Sequence, residues 1–106
     1  MIFFRIYGFD NNIPAETVVI EIQGHAGFAV KGNDIVCAAA SVLVQTLQFT
    51  VSKELLLQQN VEKNDDLYKL TIVNNNERNS ELSLLIKNCL FGLELLQQNY
   101  PDHLKI

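Results

Sequence analysis

Thr17-Val18-Val19-Ile20-Glu21-Ile22-Gln23 alternates, with Val18, Ile20 and Ile22 on one side and Val19, Glu21 and Gln23 on the other. Successive side chains of a strand point to opposite faces, so this period marks a strand with one buried face. The earlier stretch Ile2-Phe3-Phe4-Arg5-Ile6-Tyr7 alternates in the same way, Ile2, Phe4 and Ile6 against Phe3, Arg5 and Tyr7. Between the two, Gly8 to Pro14 contains Asp10-Asn11-Asn12, a cluster of turn formers. The pair reads as an antiparallel hairpin, with Gly24 ending its second strand.

Downstream the period changes. Asp34 stands directly before Ile35-Val36-Cys37-Ala38-Ala39-Ala40. Asp is a favoured N-cap because its carboxylate accepts an otherwise unpaired N–H of the first turn. A helix is predicted from Ile35 to about Gln58, with a break near Phe49-Thr50-Val51. Its first half is apolar on nearly every side, which calls for burial on more than one face. In so short a chain a second subunit is a natural source of that cover. Val61-Glu62 and Leu67 to Val73 read as strands around the turn Lys63-Asn64-Asp65-Asp66. Ser80 is the predicted cap of a second helix over about 81–98, with the stripe Leu82, Leu85, Ile86, Cys89, Leu93 and Leu96. Tyr100-Pro101 stops it, because proline disfavours helical geometry in the residue before it. Leu104-Lys105-Ile106 can add an edge strand. The order ββαββαβ predicts an α+β fold: a small mixed or antiparallel sheet with two helices packed on one face.

Composition sets the limits. The chain has 106 residues, the size of one domain spanning 1–106. It is 48% apolar and 19% charged, which excludes intrinsic disorder. Eight basic against twelve acidic residues give a net charge of −4, so no nucleic-acid binding is expected. No apolar run approaches the ~20 residues of a membrane span. The start, Met1-Ile2-Phe3-Phe4-Arg5, lacks the features of a signal peptide. Cys37 and Cys89 form no CxxC pair, and the expectation is a reduced, cytoplasmic protein.

His25 and Cys37 are the candidate catalytic pair. His25 follows a strand end, and Cys37 falls on the first turn of a helix, across a loop containing Gly27 and Gly32. A thiolate is stabilised by the positive end of a helix and by a neighbouring imidazolium. Backbone N–H groups of the same turn are candidates to hold an oxyanion. Asp34 has two readings: it caps the helix, its charge then opposing the thiolate, or it accepts a hydrogen bond from His25 and orients the ring. Ser41, one turn after Cys37, either bonds back to the Cys37 carbonyl or acts beside the pair. Cys89 lies in the apolar stripe and reads as inert core. His103 reads as a surface residue. The four His and Cys residues are not spaced as zinc ligands, so no metal and no cofactor is expected.

Gly24-His25-Ala26-Gly27-Phe28-Ala29 and Gly32-Asn33-Asp34-Ile35-Val36-Cys37-Ala38-Ala39-Ala40-Ser41 together resemble the Prp family, the ribosomal-processing cysteine proteases of Firmicutes and related bacteria. The match falls on Gly24, His25, Ala26, Asp34, Cys37 and Ser41, and is weakest between Val51 and Asn76. The resemblance implies a homodimeric cysteine protease with His25 and Cys37 as its dyad and Gly24, Asp34 and Ser41 in support. It implies as substrate the N-terminal extension of a large-subunit ribosomal protein, cut after an aromatic residue. The loop holding Gly27, Phe28 and Gly32 takes the place of a substrate gate, with the glycines as hinges. Phe28, Val30 and the helix start are expected to line a pocket for the aromatic side chain. Two other readings keep the fold: a non-catalytic ribosome-assembly or protein-binding module, and a thiol hydrolase of another peptide or a thioester.

Overall fold

The computed structural model describes residues 1–106. Strand β1 (Ile2–Tyr7) and strand β2 (Thr17–Gly24) form the expected antiparallel hairpin, Ile6 opposite Ile20 and Phe4 opposite Ile22. Helix α1 (Ile35–Thr50) follows, then strands β3 (Gln58–Lys63) and β4 (Leu67–Val73), helix α2 (Asn79–Asn99) and strand β5 (Leu104–Lys105). The sheet order is β3-β4-β2-β1-β5. All pairs are antiparallel except β1 with β5, so the sheet is mixed.

The alternation read from the hairpin decides which face is covered. Ile2, Phe4, Val18 and Ile20 are buried, joined by Leu70 and Ile72 of β4. Against them lie Val36, Ala40, Val44 and Leu47 of α1 and Leu82, Ile86, Cys89 and Leu93 of α2, in one core. Both helices thus cover one face, as predicted. At their crossing, a Cβ on Gly92 would lie 2.6 Å from a Leu43 methyl. The other face is open. One level of it carries Arg5, Glu21, Lys69 and Glu62 in register across four strands, alternating in sign. Lys69 Nζ reaches Glu21 Oε1 at 4.0 Å.

Several element ends differ from expectation. The first helix changes its winding where a break was predicted: a π-helical turn, Val51–Leu55, succeeds α1. The rod then ends at Leu56, whose φ of 54° is left-handed, rather than at Gln58. α1 and this turn form a stretch of 21 residues containing an 18-residue window of mean hydropathy 1.6, long and apolar enough to cross a membrane although no span was expected. Its inner face, Val36, Ala40, Val44, Leu47, Val51 and Leu55, is buried in the core, as in a core helix. Ser80 does not cap α2. The helix begins at Asn79, after Arg78, without a side-chain cap.

Candidate active site

The end of β2, the first turn of α1, and the β3–β4 turn meet at one end of the sheet. Asp34 is what shapes the site there. Its Oδ1 accepts from the N–H groups of Val36 and Cys37, both at 3.0 Å. Its Oδ2 accepts from Phe28 at 3.0 Å and Ala29 at 3.3 Å. Of the two readings of Asp34, the structure therefore selects the cap, and adds a second function as a staple on the loop. Burial is the largest single influence on this carboxyl and raises its pKa. The four backbone N–H groups together outweigh it and leave the group below its ordinary 3.8.

Most donors of the helix start, where an oxyanion site was expected, are already engaged. The N–H groups of Val36 and Cys37 are taken by the Asp34 carboxylate, and that of Ala38 by the Asp34 carbonyl at 3.1 Å. A different donor faces the sulfur: Ala26 N–H points at Cys37 Sγ at 3.3 Å. Cys37 is half-buried and Cys89 buried, and both are free thiols. Burial pushes the Cys89 thiol up to about 12, which keeps it protonated.

His25 and Cys37 line the same two cavities, of about 180 and 450 Å3, together with Ser41. No hydrogen bond joins the imidazole to the sulfur. Instead His25 Nε2 lies 2.9 Å from Asp66 Oδ1. The smaller cavity has Ile2, Ile22, Ala40, Val44, Leu67 and Tyr68 in its walls and the turn Lys63 to Asp66 at its rim. The larger runs beneath the loop, past Gly27, Ala29, Lys31 and Gly32. Ser41 Oγ accepts from Gln45 rather than bonding back to the Cys37 carbonyl.

The loop after His25, expected to act as a gate, is tied at several points. Besides the Asp34 staple, His103 Nδ1 donates to the Ala26 carbonyl at 2.8 Å. Phe28 stands edge-on to Tyr100 and to His103, with ring centroids 5.3 and 5.4 Å apart. His103 is therefore a loop anchor and not a bare surface residue. Phe28 and Val30 line neither of the cavities that His25 and Cys37 share: Phe28 packs on the C-terminal turn, and Val30 is 71% exposed. Gly24 has φ +93°, and a Cβ there would lie 2.5 Å from the Met1 carbonyl oxygen. Glycine is required where the strand turns into His25. Gly27 and Gly32 also have positive φ, +71° and +92°, but open space around them.

Asp66 is the site residue that the sequence reading missed. It falls in the predicted turn Lys63 to Asp66, but nothing in the local pattern says that β4 pairs with β2 and delivers this turn beside His25.

The family model described as "Cysteine protease Prp" matches residues 1–105. Comparison with curated proteins finds no match. Among solved structures, an essential ribosomal processing protease Prp from S. aureus, holding a covalently linked product peptide, superposes with a TM-score of 0.83. It is 21% identical, over 99% of this chain and 96% of that one. The same protease with a substrate peptide gives 0.73, again at 21% identity over 99% and 96% of the two chains. A protein from Streptococcus mutans gives 0.70 at 28% identity, over 99% of this chain and 90% of that one. The likeness to the S. aureus structures fixes the fold, and the family model, matched over nearly the full length, settles the kinship: this chain belongs to the Prp family of cysteine proteases.

Proposed function

We propose that Cys37 and His25 are the nucleophile and base of this protease. Their substrate would be the N-terminal extension of a large-subunit ribosomal protein. One observation carries the reading. The Cys37 sulfur sits on the first turn of α1, with a backbone N–H aimed at it, in the wall of cavities that His25 also lines. The S. aureus relative is described as a ribosomal processing protease and was captured with substrate and product peptides, which supports the substrate class.

His25 takes the thiol proton, and Cys37 Sγ attacks the scissile carbonyl, forming a C–S bond. The tetrahedral intermediate collapses as His25 returns the proton to the leaving amine and the C–N bond breaks. Water, deprotonated by His25, then hydrolyses the thioester and restores the thiol. The side chain before the cut has an apolar place to go. The walls of the smaller cavity, Ile2, Ile22, Ala40, Val44 and Tyr68, suit an aromatic ring better than Phe28 and Val30 do. Gly24, Asp34 and Ser41 support the pair as strand-end hinge, loop staple and cavity wall. The tied loop, with Gly27 and Gly32 at positive φ, is the gate.

The working form in this reading is a cytoplasmic homodimer. Ile35, Val42 and Phe49 recur every seventh residue along α1 and stay exposed, a stripe that a second copy would cover. The decisive experiment incubates the chain with the unprocessed ribosomal protein and reads the product N-terminus by mass spectrometry. Cys37→Ala is expected to abolish the product, and cleavage surviving in that variant refutes the assignment.

A further inference from the structure

We infer that Asp66 is the positioning residue of the pair, holding His25 so that its other ring nitrogen serves Cys37; the inference rests on the reading of His25 and Cys37 as the dyad. His25 Nε2 lies 2.9 Å from Asp66 Oδ1. An ionised carboxylate can only accept, so the proton is on Nε2. That fixes the tautomer: Nδ1 carries the lone pair and is the nitrogen free to take the thiol proton.

The carboxylate is delivered by a built turn. Asn64 Oδ1 accepts from the N–H groups of Asp66 at 2.9 Å and Leu67 at 3.0 Å. Asn64 N–H donates to the Leu67 carbonyl at 2.9 Å, closing the turn. Gly24 N–H then donates to the Asp66 carbonyl at 2.8 Å. Asp66 is thus bonded through its backbone to the residue before His25 and through its side chain to His25 itself. The ring is held relative to the strand that carries it. No other carboxylate is available for the task. Both oxygens of Asp34 are spent on backbone N–H groups. The Asp65 carboxylate faces Lys31 at 3.5 Å.

The ring is not yet bonded to the sulfur, so it must pivot to reach it. A ring fastened at Nε2 pivots with Nδ1 leading. A ring without the fastening can turn over and exchange its nitrogens. The Asp66 side chain is 73% exposed, so water competes for the bond. The effect should therefore fall well short of the ~10⁴-fold loss seen when a buried triad carboxylate is neutralised, and roughly 10- to 100-fold is expected.

The test compares Asp66→Ala and Asp66→Asn with the parent, using a peptide spanning the proposed junction. The His25 tautomer is read separately, without substrate, by long-range ¹H–¹⁵N NMR. Asp66→Ala is expected to lower kcat by that factor, leaving KM and the thermal midpoint unchanged, since the turn is held by backbone bonds and Asn64. Asp66→Asn keeps an acceptor oxygen and should fall between. The parent should show the Nε2–H tautomer in excess, and Asp66→Ala should lose that excess. A parent-like kcat, or an unaltered tautomer in Asp66→Ala, overturns the inference. So does a raised kcat, which would mean that Asp66 restrains the ring from the thiol. Running His25→Ala and Cys37→Ala alongside separates the two failures. If both are inactive while Asp66→Ala is parent-like, only the positioning role falls. If Cys37→Ala still cleaves, the dyad reading and this inference fall together.

Discussion

Replacing Asp34 by alanine removes, in one step, the acceptor for four backbone N–H groups, those of Val36, Cys37, Phe28 and Ala29. Loss of an N-cap costs about 1 kcal/mol, with a range of roughly 0.5–2. Hydrogen bonds to a charged group contribute about 1.5–3 kcal/mol each when the orphaned partner stays buried. The Phe28 and Ala29 N–H groups belong to an exposed loop that can lift into water, so their share falls below that range. The destabilisation expected of Asp34→Ala is therefore about 2–3 kcal/mol, or roughly 10–20 °C in the midpoint of a domain this size. Acid should distinguish parent from variant. The folded-state pKa of Asp34 is lowered, so its contribution is present above 3.8 and is lost as pH falls through the folded value. The parent should lose this increment in acid, and Asp34→Ala should have none to lose. Asp34→Asn, whose carbonyl can keep the cap while its amide nitrogen faces the loop donors, should lie between the two. Urea unfolding at neutral and acidic pH measures all three. A loss below about 0.5 kcal/mol for the alanine variant would show that the carboxylate is not what joins loop to helix.

Three further outcomes follow from geometry. Thiol titration of the folded chain should give one fast equivalent, from Cys37, because Cys89 is 4% exposed and its thiol is pushed up to about 12; two fast equivalents would contradict this core. Gly24→Ala puts a Cβ 2.5 Å from the Met1 carbonyl oxygen at a φ of +93°, and should cost about 1–3 kcal/mol and reduce cleavage by displacing His25. Parent-like stability and activity would argue against that constraint. Val42→Glu with Phe49→Glu should convert the proposed dimer to monomer in sedimentation, and an unchanged mass would move the interface elsewhere.

What the sequence showed and what it hid follow the range of the interactions. The hairpin alternation and the Asp34 cap are written within a few residues, and both could be read directly. The break at Phe49 to Val51 was visible in the β-branched Thr50 and Val51, but its form, a π-helical turn, has no local signature. Asp66 and His103 were hidden for a common reason. Each reaches the site through a strand partner distant in sequence, β4 beside β2 for Asp66 and β5 beside β1 for His103. Ser80 misled because a good capping residue lay one position inside the helix, while the side chains of Asn74, Asn76 and Asn79 were bonding one another just before it.

The uncovered side of the sheet has no helix to check how its strands are aligned. The row Arg5, Glu21, Lys69 and Glu62 supplies a check of its own. Sliding β1 along β2 by two residues keeps every side chain on its face, yet leaves Arg5 opposite Val19 or Gln23; the same slip of β4 strips Lys69 of Glu21. Surface pairs, even half-buried ones at 4.0 Å like Lys69 and Glu21, contribute little to stability, about 0–1 kcal/mol, so the value of the row lies in telling the right alignment from its near neighbours. A chain in which these four were neutralised would fold about as tightly but with less certainty of arriving at one pairing, and the junction of Gly24 with Asp66 would be the first to drift.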